Sequence, residues 1–322
     1  MHGIVVAGAV AALALSQGVS ESIVLETPTG AVHGTLLMPA NVTGRVPVVL
    51  VIAGSGPTDR DGNSPALPGP NNSLKQLAEG LAAEGFATVR YDKRGIAASA
   101  AAARAEADLR FTTYVDDAAA WIRKLAADPR FSSVSVIGHS EGSLIGVMAA
   151  REAGASAFVS IAGAGRPIVE VLTEQLSRNL PPELMSESTR IMEELKKGRT
   201  VSAVPPQLAA LFRPSVQPYM ISWIPLDPAA ELARFSGPSL IVQGTTDIQT
   251  SITDAERLAK ADSRAKLLVI DGMNHVLKEV REPARQLASY GDPALPLHPA
   301  LVPGIADFLR QQRQQSLTPA PE

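Results

Sequence analysis

Residues 134–150 have the sequence VSVIGHSEGSLIGVMAA, in which a β-branched run passes through a small-residue turn into an apolar segment. The centre of this stretch, residues 138–142, matches the pattern G-x-S-x-G. The run before it predicts a short strand, and the segment after it predicts a buried helix. A strand, a sharp turn and a helix would put the hydroxyl of Ser140 at the apex of the turn. Because β-carbons next to such a strained turn would clash, flanking glycines are expected, and Ser140 is the candidate nucleophile.

Composition sets broad limits on the protein. The chain has 322 residues, 45% of them apolar and 4% aromatic, so aliphatic side chains must form most of a sizeable core. This length suits one large α/β domain with an insertion, or two small domains. The 29 basic and 32 acidic residues give a net charge of −3 without any basic block, so we expect no nucleic-acid partner. The absence of cysteine excludes disulfides, thiolate metal sites and a cysteine nucleophile.

The N-terminus is apolar between residues 4 and 15, and small residues follow it up to residue 20. This pattern favours a remnant of a secretory signal over residues 1–20, although the usual positive charge before the apolar run is missing. An apolar helix docked on the domain is the alternative. The run is too short for a stable membrane span, which needs about 20 residues. A signal would make the protein secreted or periplasmic, and otherwise we expect it in the cytoplasm.

The rest of the chain alternates between predicted strands and predicted helices. The apolar run at residues 47–52, for example, is typical of a strand buried on both faces of a parallel sheet. Strands are predicted over residues 22–26, 31–38, 47–52, 86–91, 134–137, 157–161, 239–243 and 266–270, and helices over residues 73–84, 113–127, from 251 onward, and 299–314. This order predicts an α/β fold with a doubly wound, mostly parallel, eight-stranded sheet spanning residues 21–322.

Residues 166–227 interrupt that alternation. The segment contains no convincing strand, several prolines, and apolar residues at helical spacing. It follows the strand after the elbow helix, so a helical insertion here would lie over the C-terminal edge of the sheet. We expect a cap that covers Ser140 and supplies an apolar wall to the site. The alternative is a structural insertion without contact to substrate.

A serine hydroxyl needs a base and an orienting acid to become a nucleophile. Of five histidines, His275 lies in the loop directly after the predicted strand 266–270, and such loops carry the ligands of parallel sheets. We expect His139, beside Ser140, to point away from it. Asp247 follows the preceding strand, which gives the order serine, aspartate, histidine. Asp271, on the same loop as His275, is the alternative acid.

An oxyanion intermediate would need two backbone donors. The amide of Glu141, directly after Ser140, is one candidate, and the amide of Ser55 in the glycine-containing loop 53–57 is the other, with Gly56 as an alternative. The polar continuation of this loop, residues 58–63, suggests either internal ion pairs or, less simply, a calcium site. The charged cluster at residues 91–95 suggests a structural network rather than a catalytic group.

These motifs together carry a family resemblance. The sequence resembles an α/β hydrolase of the esterase and serine-aminopeptidase-like group, in particular the bacterial carboxylesterases with a helical cap between the sixth and seventh strands. The resemblance covers residues 22–312 and rests on short segments in the same order: AGSGPTDRDGN at 53–63, YDKRG at 91–95, GHSEG at 138–142, QGTTDIQ at 243–249 and MNHVLK at 273–278. It implies Ser140 as nucleophile, Asp247 as acid, His275 as base, and an oxyanion hole from Ser55 and Glu141.

The sequence therefore predicts a serine carboxylesterase for short- to medium-chain acyl esters. Its expected partner is a small-molecule ester, and no metal or organic cofactor is implied. A peptidase or amidase with the same three residues is the alternative, and a hydrolase fold kept as a binding module is a third hypothesis. A dehalogenase or epoxide hydrolase would need a carboxylate at the position of Ser140. The oligomeric state does not follow from the sequence.

Overall fold

The computed structural model describes residues 18–317, and their strands form one eight-stranded sheet. The strand order is β1-β2-β4-β3-β5-β6-β7-β8. Pairs β1–β2 and β2–β4 are antiparallel, and every other neighbouring pair is parallel. The strands are β1 Val19–Thr27, β2 Gly30–Met38, β3 Val46–Ile52, β4 Ala87–Tyr91, β5 Phe131–His139, β6 Ala157–Ile161, β7 Ser239–Gly244 and β8 Lys266–Ile270. The prediction of a mostly parallel eight-stranded sheet is confirmed.

Helices connect the strands and cover both faces of the sheet. They are α1 Ser73–Ala83, α2 Phe111–Ala127, α3 Glu141–Ala153, α4 Ile168–Ser177, α5 Pro182–Lys196, α6 Ala209–Phe212, α7 Gln217–Trp223, α8 Pro228–Ala233, α9 Ile252–Ala261, α10 Gln286–Ser289 and α11 Leu301–Leu317. Short 3-10 turns occupy Ala97–Ala102, Glu106–Asp108, Pro206–Leu208 and Pro283–Arg285. Helices α1 and α11 pack on one face of the sheet, whereas α2, α3 and α9 pack on the other.

The central strand β3 shows why the sequence forms this sheet. All seven of its residues are buried. Because successive side chains of a strand point to opposite faces, Leu50 joins the core under α2 and α3, and Val49 joins the core under α1 and α11. A strand covered on both faces requires an uninterrupted apolar run, which is the pattern at residues 46–52.

Residues 166–227 contain α4 to α7 and no strand, as the sequence indicates for this segment. Their apolar side chains belong to the same buried cluster as those of α2 and α3; Ile191, Leu195 and Phe212 are almost completely buried in it. The segment begins at an ion pair in which Arg166 Nε lies 2.8 Å from Asp254 of α9. It is therefore packed onto the body of the domain.

The structure describes only the end of the segment that was predicted to be a signal remnant, residues 1–20. Residues 1–17, most of the expected signal remnant, lie outside the described residues. Strand β1 already begins at Val19 and pairs with β2 along its whole length, so the sheet starts inside the segment assigned to residues 1–20. Between residues 18 and 317, no helix is both long and apolar enough to cross a membrane.

Candidate active site

Ser140 lies in the sharp turn between β5 and α3. Its backbone has φ 55° and ψ −122°, a conformation that residues other than glycine rarely adopt, and its N–H donates to Ile161 O at 2.9 Å. The flanking glycines are required by close backbone contact. A β-carbon on Gly138 would lie 2.1 Å from Gly142 O, and one on Gly142 would lie 2.4 Å from Ile52 O. The turn therefore holds the serine hydroxyl out at the C-terminal edge of the sheet.

His275 and Asp247 meet at the same edge, from the loops after β8 and β7. The distance between His275 Nδ1 and Asp247 Oδ2 is 2.8 Å, and their side chains are 5% and 1% exposed. Asp247 also accepts hydrogen bonds from the N–H groups of Gln249 and Thr250, at 2.7 and 3.1 Å. Burial alone would raise the pKa of Asp247, but His275 and these two N–H donors outweigh it and lower that pKa to about 2. The carboxylate is thus ionised and fixed against one nitrogen of the imidazole.

Asp271, the alternative acid, lies elsewhere. Its side chain is 76% exposed and pairs with Arg281 at 2.5 Å, and it accepts a hydrogen bond from Thr245 Oγ1 at 3.0 Å. The structure therefore brings Asp247, and not Asp271, to the imidazole of His275.

Ser140 and His275 line the same cavity, which has a volume of about 170 Å³. Their side chains form no hydrogen bond to each other in the described structure, although both face this space. Hydrogen bonds between a nucleophile and its base are often long without substrate and shorten in the complex. Both residues therefore open into one cavity.

His139 contacts His275, which the sequence did not predict. Its ring centroid lies 4.9 Å from that of His275, and its Nε2 lies 2.8 Å from the His275 carbonyl oxygen. A carbonyl only accepts, so Nε2 must carry the proton. Burial lowers the pKa of His139 to about 3, so the ring is neutral and holds the backbone of His275. The expectation that His139 points away from Ser140 stays a prediction; the contact of His139 with His275 arises because the loop after β8 folds back over the end of β5.

The residues of the two candidate oxyanion donors, Ser55 and Glu141, lie beside Ser140. Ser55 and Glu141 both line cavities that Ser140 also lines, whereas Gly56 lines neither of those two. Glu141 is the first residue of α3, where backbone N–H groups have no partner within the helix. A β-carbon on Gly54 would lie 3.2 Å from Ser140 Cβ, so the loop before Ser55 approaches the serine as closely as glycine permits.

The side chain of Glu141 is held by a buried polar network. Its Oε1 accepts from Tyr219 Oη at 2.8 Å, and its Oε2 lies 2.7 Å from Lys93 Nζ. Lys93 also donates to the carbonyl oxygen of Gly54 at 2.5 Å. Burial and the Glu141 carboxylate raise the pKa of Tyr219 well above its ordinary value, so its hydroxyl stays a donor. The sequence indicated a structural network around residues 91–95 but not its connection to Glu141 or Tyr219.

The polar loop at residues 58–63 is internally bonded. One oxygen of Asp59 accepts the N–H groups of Asp61 and Asn63, both at 2.9 Å, and Asp61 pairs with Arg90 at 2.8 Å. Within residues 18–317, no group of three or more histidine, aspartate or glutamate side chains is arranged to hold a metal ion. The ion pairs are not internal to the loop as expected: Asp61 pairs with Arg90 and Arg60 pairs with Asp92, so they join the loop to β4 and the residue after it.

Two cavities meet at Ser140 within the described residues. The smaller, of about 110 Å³, is largely apolar and is lined by side chains that include Leu144, Ile168, Leu172, Met220 and Trp223. The larger, of about 170 Å³, is more polar, and its lining includes Thr58, Asn71, His275 and Tyr290. Most of the apolar wall comes from residues 166–223, and the polar wall comes from the loops after β3 and β8.

Known proteins share this arrangement of strands. Residues 71–214 match the family described as "Serine aminopeptidase, S33". The chain is 30% identical over 250 residues to Esterase EstD of Thermotoga maritima, a match covering 76% of this chain and 57% of that protein. Est1E from Butyrivibrio proteoclasticus superposes with a TM-score of 0.60 at 17% identity, covering 91% of this chain and 99% of Est1E. The chain has the α/β-hydrolase fold.

This α/β hydrolase therefore spans somewhat more than half the length of the curated esterase it matches. The fold itself is shared with proteins of different activity. Dipeptidyl peptidase 4 of Porphyromonas gingivalis superposes with a TM-score of 0.53 at 13% identity, over 92% of this chain and 36% of the peptidase. Because one fold hosts both esterases and peptidases, the choice between them has to come from the site.

Proposed function

We propose that this α/β hydrolase is a serine carboxylesterase with Ser140 as nucleophile, His275 as base and Asp247 as orienting acid. The observation that carries the proposal is the buried 2.8 Å contact between His275 and Asp247, beside a cavity that the strained Ser140 also lines. Serine, imidazole and carboxylate from three separate loops are what nucleophilic acyl transfer needs.

In the proposed reaction, Ser140 Oγ attacks the ester carbonyl while Nε2 of His275 takes its proton. The N–H groups of Ser55 and Glu141 stabilise the oxyanion. The C–O bond to the alcohol then breaks, and the alcohol leaves with the proton from His275. Water attacks the acyl-enzyme in the same way and releases the acid. Asp247 keeps the imidazole oriented and stabilises its positive charge.

We assign one half of the ester to each of the two cavities. The base must reach the leaving oxygen, and His275 lines the more polar cavity of 170 Å³ but not the apolar one of 110 Å³. The alcohol therefore leaves through the polar cavity, and the acyl group occupies the apolar cavity beneath the helical segment 166–227, which acts as a cap. Pockets for drug-sized ligands hold about 300–1,000 Å³, so 110 Å³ favours short acyl groups.

The alternative, an aminopeptidase, is supported by the description of the matching family. Such an enzyme needs a free carboxylate near Ser140 to pair with the substrate's terminal ammonium. In the described lining of the two cavities the carboxylate present is Glu141, and both of its oxygens are already bonded, to Lys93 and Tyr219. This favours ester over aminoacyl substrates.

The test compares wild type with Ser140→Ala on p-nitrophenyl butyrate and on aminoacyl p-nitroanilides. We expect ester turnover to exceed anilide turnover, and Ser140→Ala to lose about 10⁶-fold in kcat, the scale seen when a triad nucleophile is removed. A fluorophosphonate probe should label the wild type at Ser140. Unchanged turnover in folded Ser140→Ala protein would contradict the proposal, and faster anilide hydrolysis would favour the peptidase.

A further inference from the structure

Lys93 is bonded to residues of the site but lines neither of the two cavities at Ser140. It follows β4, is 1% exposed, and places its ammonium 2.5 Å from the carbonyl oxygen of Gly54 and 2.7 Å from Glu141 Oε2. The ring of Tyr114 lies under it, with its centroid 5.1 Å from Nζ. The ammonium thus joins the loop after β3 to the first residue of α3.

The contact with Gly54 fixes a particular N–H group. The carbonyl of Gly54 and the N–H of Ser55 belong to one peptide unit, which is planar and trans, so they point in opposite directions. A cation bound to the oxygen therefore sets the direction of the N–H. It also draws electron density toward the oxygen, which makes the N–H a stronger donor, as in a chain of polarised hydrogen bonds.

Glu141 links the same ammonium to the second donor. Its side chain is fixed by Lys93 on one oxygen and by Tyr219 on the other, and its own backbone N–H begins α3 beside Ser140. One buried ion pair therefore restrains the peptide on each side of the nucleophile. The pair is thus connected to the peptide unit of one candidate donor and to the side chain of the residue that carries the other.

Stability alone does not explain a buried pair of this kind. Removing two charges from water is costly, and apolar replacements of buried pairs are often neutral or stabilising. The neighbouring pair offers a comparison. Arg94 and Asp117 lie 2.5 Å apart and are also buried, with side chains 9% and 6% exposed against 1% and 3% for Lys93 and Glu141. Arg94 otherwise binds Ala102 O and Thr29. Of these two adjacent cations, Lys93 is the one that bonds to the candidate oxyanion loop.

We propose that Lys93 is a positioning residue for the oxyanion hole, which orients and polarises the Gly54–Ser55 peptide and, through Glu141, fixes the start of α3. This inference rests on the proposed function, since it takes Ser55 and Glu141 as the oxyanion donors. Lys93 acts on the transition state, in which the carbonyl oxygen becomes negative, and much less on bound substrate.

The test is Lys93→Met, which keeps the length of the side chain and removes its charge. Deleting an oxyanion donor costs about 10²–10³ in kcat, so a misdirected donor should cost about 10–10². KM for p-nitrophenyl butyrate should stay within about threefold of the wild-type value, because the change removes no contact that binds the ester equally in the ground state and the transition state. A trifluoromethyl ketone, which adds Ser140 Oγ to its carbonyl and forms a stable oxyanion, should lose affinity by the same factor as kcat.

The matched control is Arg94→Met, which removes the adjacent buried cation and disturbs the same loop. We expect its kcat and inhibitor affinity to remain near wild type, even where its melting temperature falls. If Lys93→Met does not fold because Glu141 is left unpaired, the double variant Lys93→Met/Glu141→Gln removes both charges while an amide oxygen still accepts from Tyr219. The double variant should show the same loss in kcat and in inhibitor affinity.

Three results would overturn the inference. Folded Lys93→Met, or the double variant, with wild-type kcat would exclude a role for the ammonium. An equal loss in Arg94→Met would show that any disturbance of this loop suffices. A lower kcat with unchanged affinity for the trifluoromethyl ketone would separate Lys93 from the oxyanion. A wild-type protein without ester turnover or Ser140 labelling would instead refute the proposed function, and this inference with it.

Discussion

Two neighbouring residues of this site, Ser140 and His139, have an unusual backbone conformation and an unusual protonation state, respectively. Ser140 has a positive φ that only the packing of β5 and α3 can enforce, and a buried neutral histidine, His139, lies directly before it. A neutral His139 is useful because it donates to the backbone of His275 without placing a second positive charge beside that ring. Of these two adjacent residues, Ser140 is half-buried and lines the cavity, whereas His139 is buried and neutral.

The buried state of His139 predicts a pH dependence of stability. The unfolded chain binds a proton at this histidine near pH 6.5, whereas the folded protein does so only near its lowered pKa of about 3. Folding is therefore increasingly opposed as the pH falls through this window, by roughly 3 kcal/mol between pH 8 and pH 4.5. His139→Gln keeps an N–H donor but does not titrate. Between pH 8 and pH 4.5, its free energy of unfolding should therefore fall by about this amount less than that of the wild type.

The measurement is urea denaturation of wild type and His139→Gln at pH 8 and at pH 4.5. The difference in unfolding free energy between wild type and His139→Gln should narrow or reverse at pH 4.5, because only the wild type has to keep a buried histidine unprotonated there. A constant difference at both pH values would contradict the buried, neutral state of His139.

The sequence indicated candidate residues of the site but not the contacts between them. The G-x-S-x-G turn and the chain order gave Ser140, Asp247 and His275 as candidates, with Asp271 as an alternative acid, because parallel strands bring their C-terminal loops to one edge. The contacts of His139 with His275 and of Glu141 with Tyr219 join residues 136 and 78 positions apart. Neither pair has a local pattern, and both depend on how loops fold back over the sheet.

Among the elements, buried strands and long helices were predictable and the ends of elements were not. Strand β5 starts at Phe131, three residues before the apolar run, because Ser133 is held by pairing with β3 rather than by burial. The short helix α7 begins beside Pro218 and was hidden among prolines. Proline is tolerated in a first helical turn, where its missing N–H has no partner to lose.

Helix α4 forms one wall of the apolar cavity and should set the acyl length. Leu172 of α4 is buried and lines that cavity. Leu172→Ala should enlarge it, and the ratio of kcat/KM for p-nitrophenyl octanoate to that for the butyrate should rise at least about tenfold, since each methylene in a pocket is worth about 10–200-fold.

The matched control for this change is Leu195→Ala in α5. Leu195 is buried in the same helical segment but does not line the cavity, so the same side-chain truncation should lower stability and leave the preference for chain length unaltered. An equal shift in both variants would mean that the helices loosen together, and no shift in Leu172→Ala would place the acyl group elsewhere.

In the molecule as a whole, the helical segment 166–227 and the sheet share one core. Apolar residues of α4, α5 and α7 pack in the same cluster as those of α2 and α3, and Trp223 stacks on Phe111 with ring centroids 5.4 Å apart. A segment without a separate core has no stability of its own. The segment and the sheet should therefore unfold together.

The two tryptophans of the chain make this testable, because Trp121 lies in α2 under the sheet and Trp223 lies in the helical segment. Trp223→Phe leaves Trp121 as the reporter of the sheet, and Trp121→Phe leaves Trp223 as the reporter of the segment. In each variant, the urea midpoint from fluorescence should coincide with that from far-ultraviolet circular dichroism, as a two-state transition requires. If, in Trp121→Phe but not in Trp223→Phe, the fluorescence midpoint lay at a lower urea concentration than the circular dichroism midpoint, the helical segment would unfold separately.

The hydrogen bond from Tyr219 to Glu141 has a consequence for the surroundings in which this protein would work. Swinging the helical segment away from Ser140 would break a buried bond to a carboxylate and unstack Trp223 from Phe111. A lipase that opens at an oil droplet gains activity when its lid moves onto the droplet. Because the helical segment is fixed in place, contact with an oil droplet should not raise the activity of this protein. Turnover should therefore follow the concentration of dissolved ester and should not increase abruptly when the ester forms micelles.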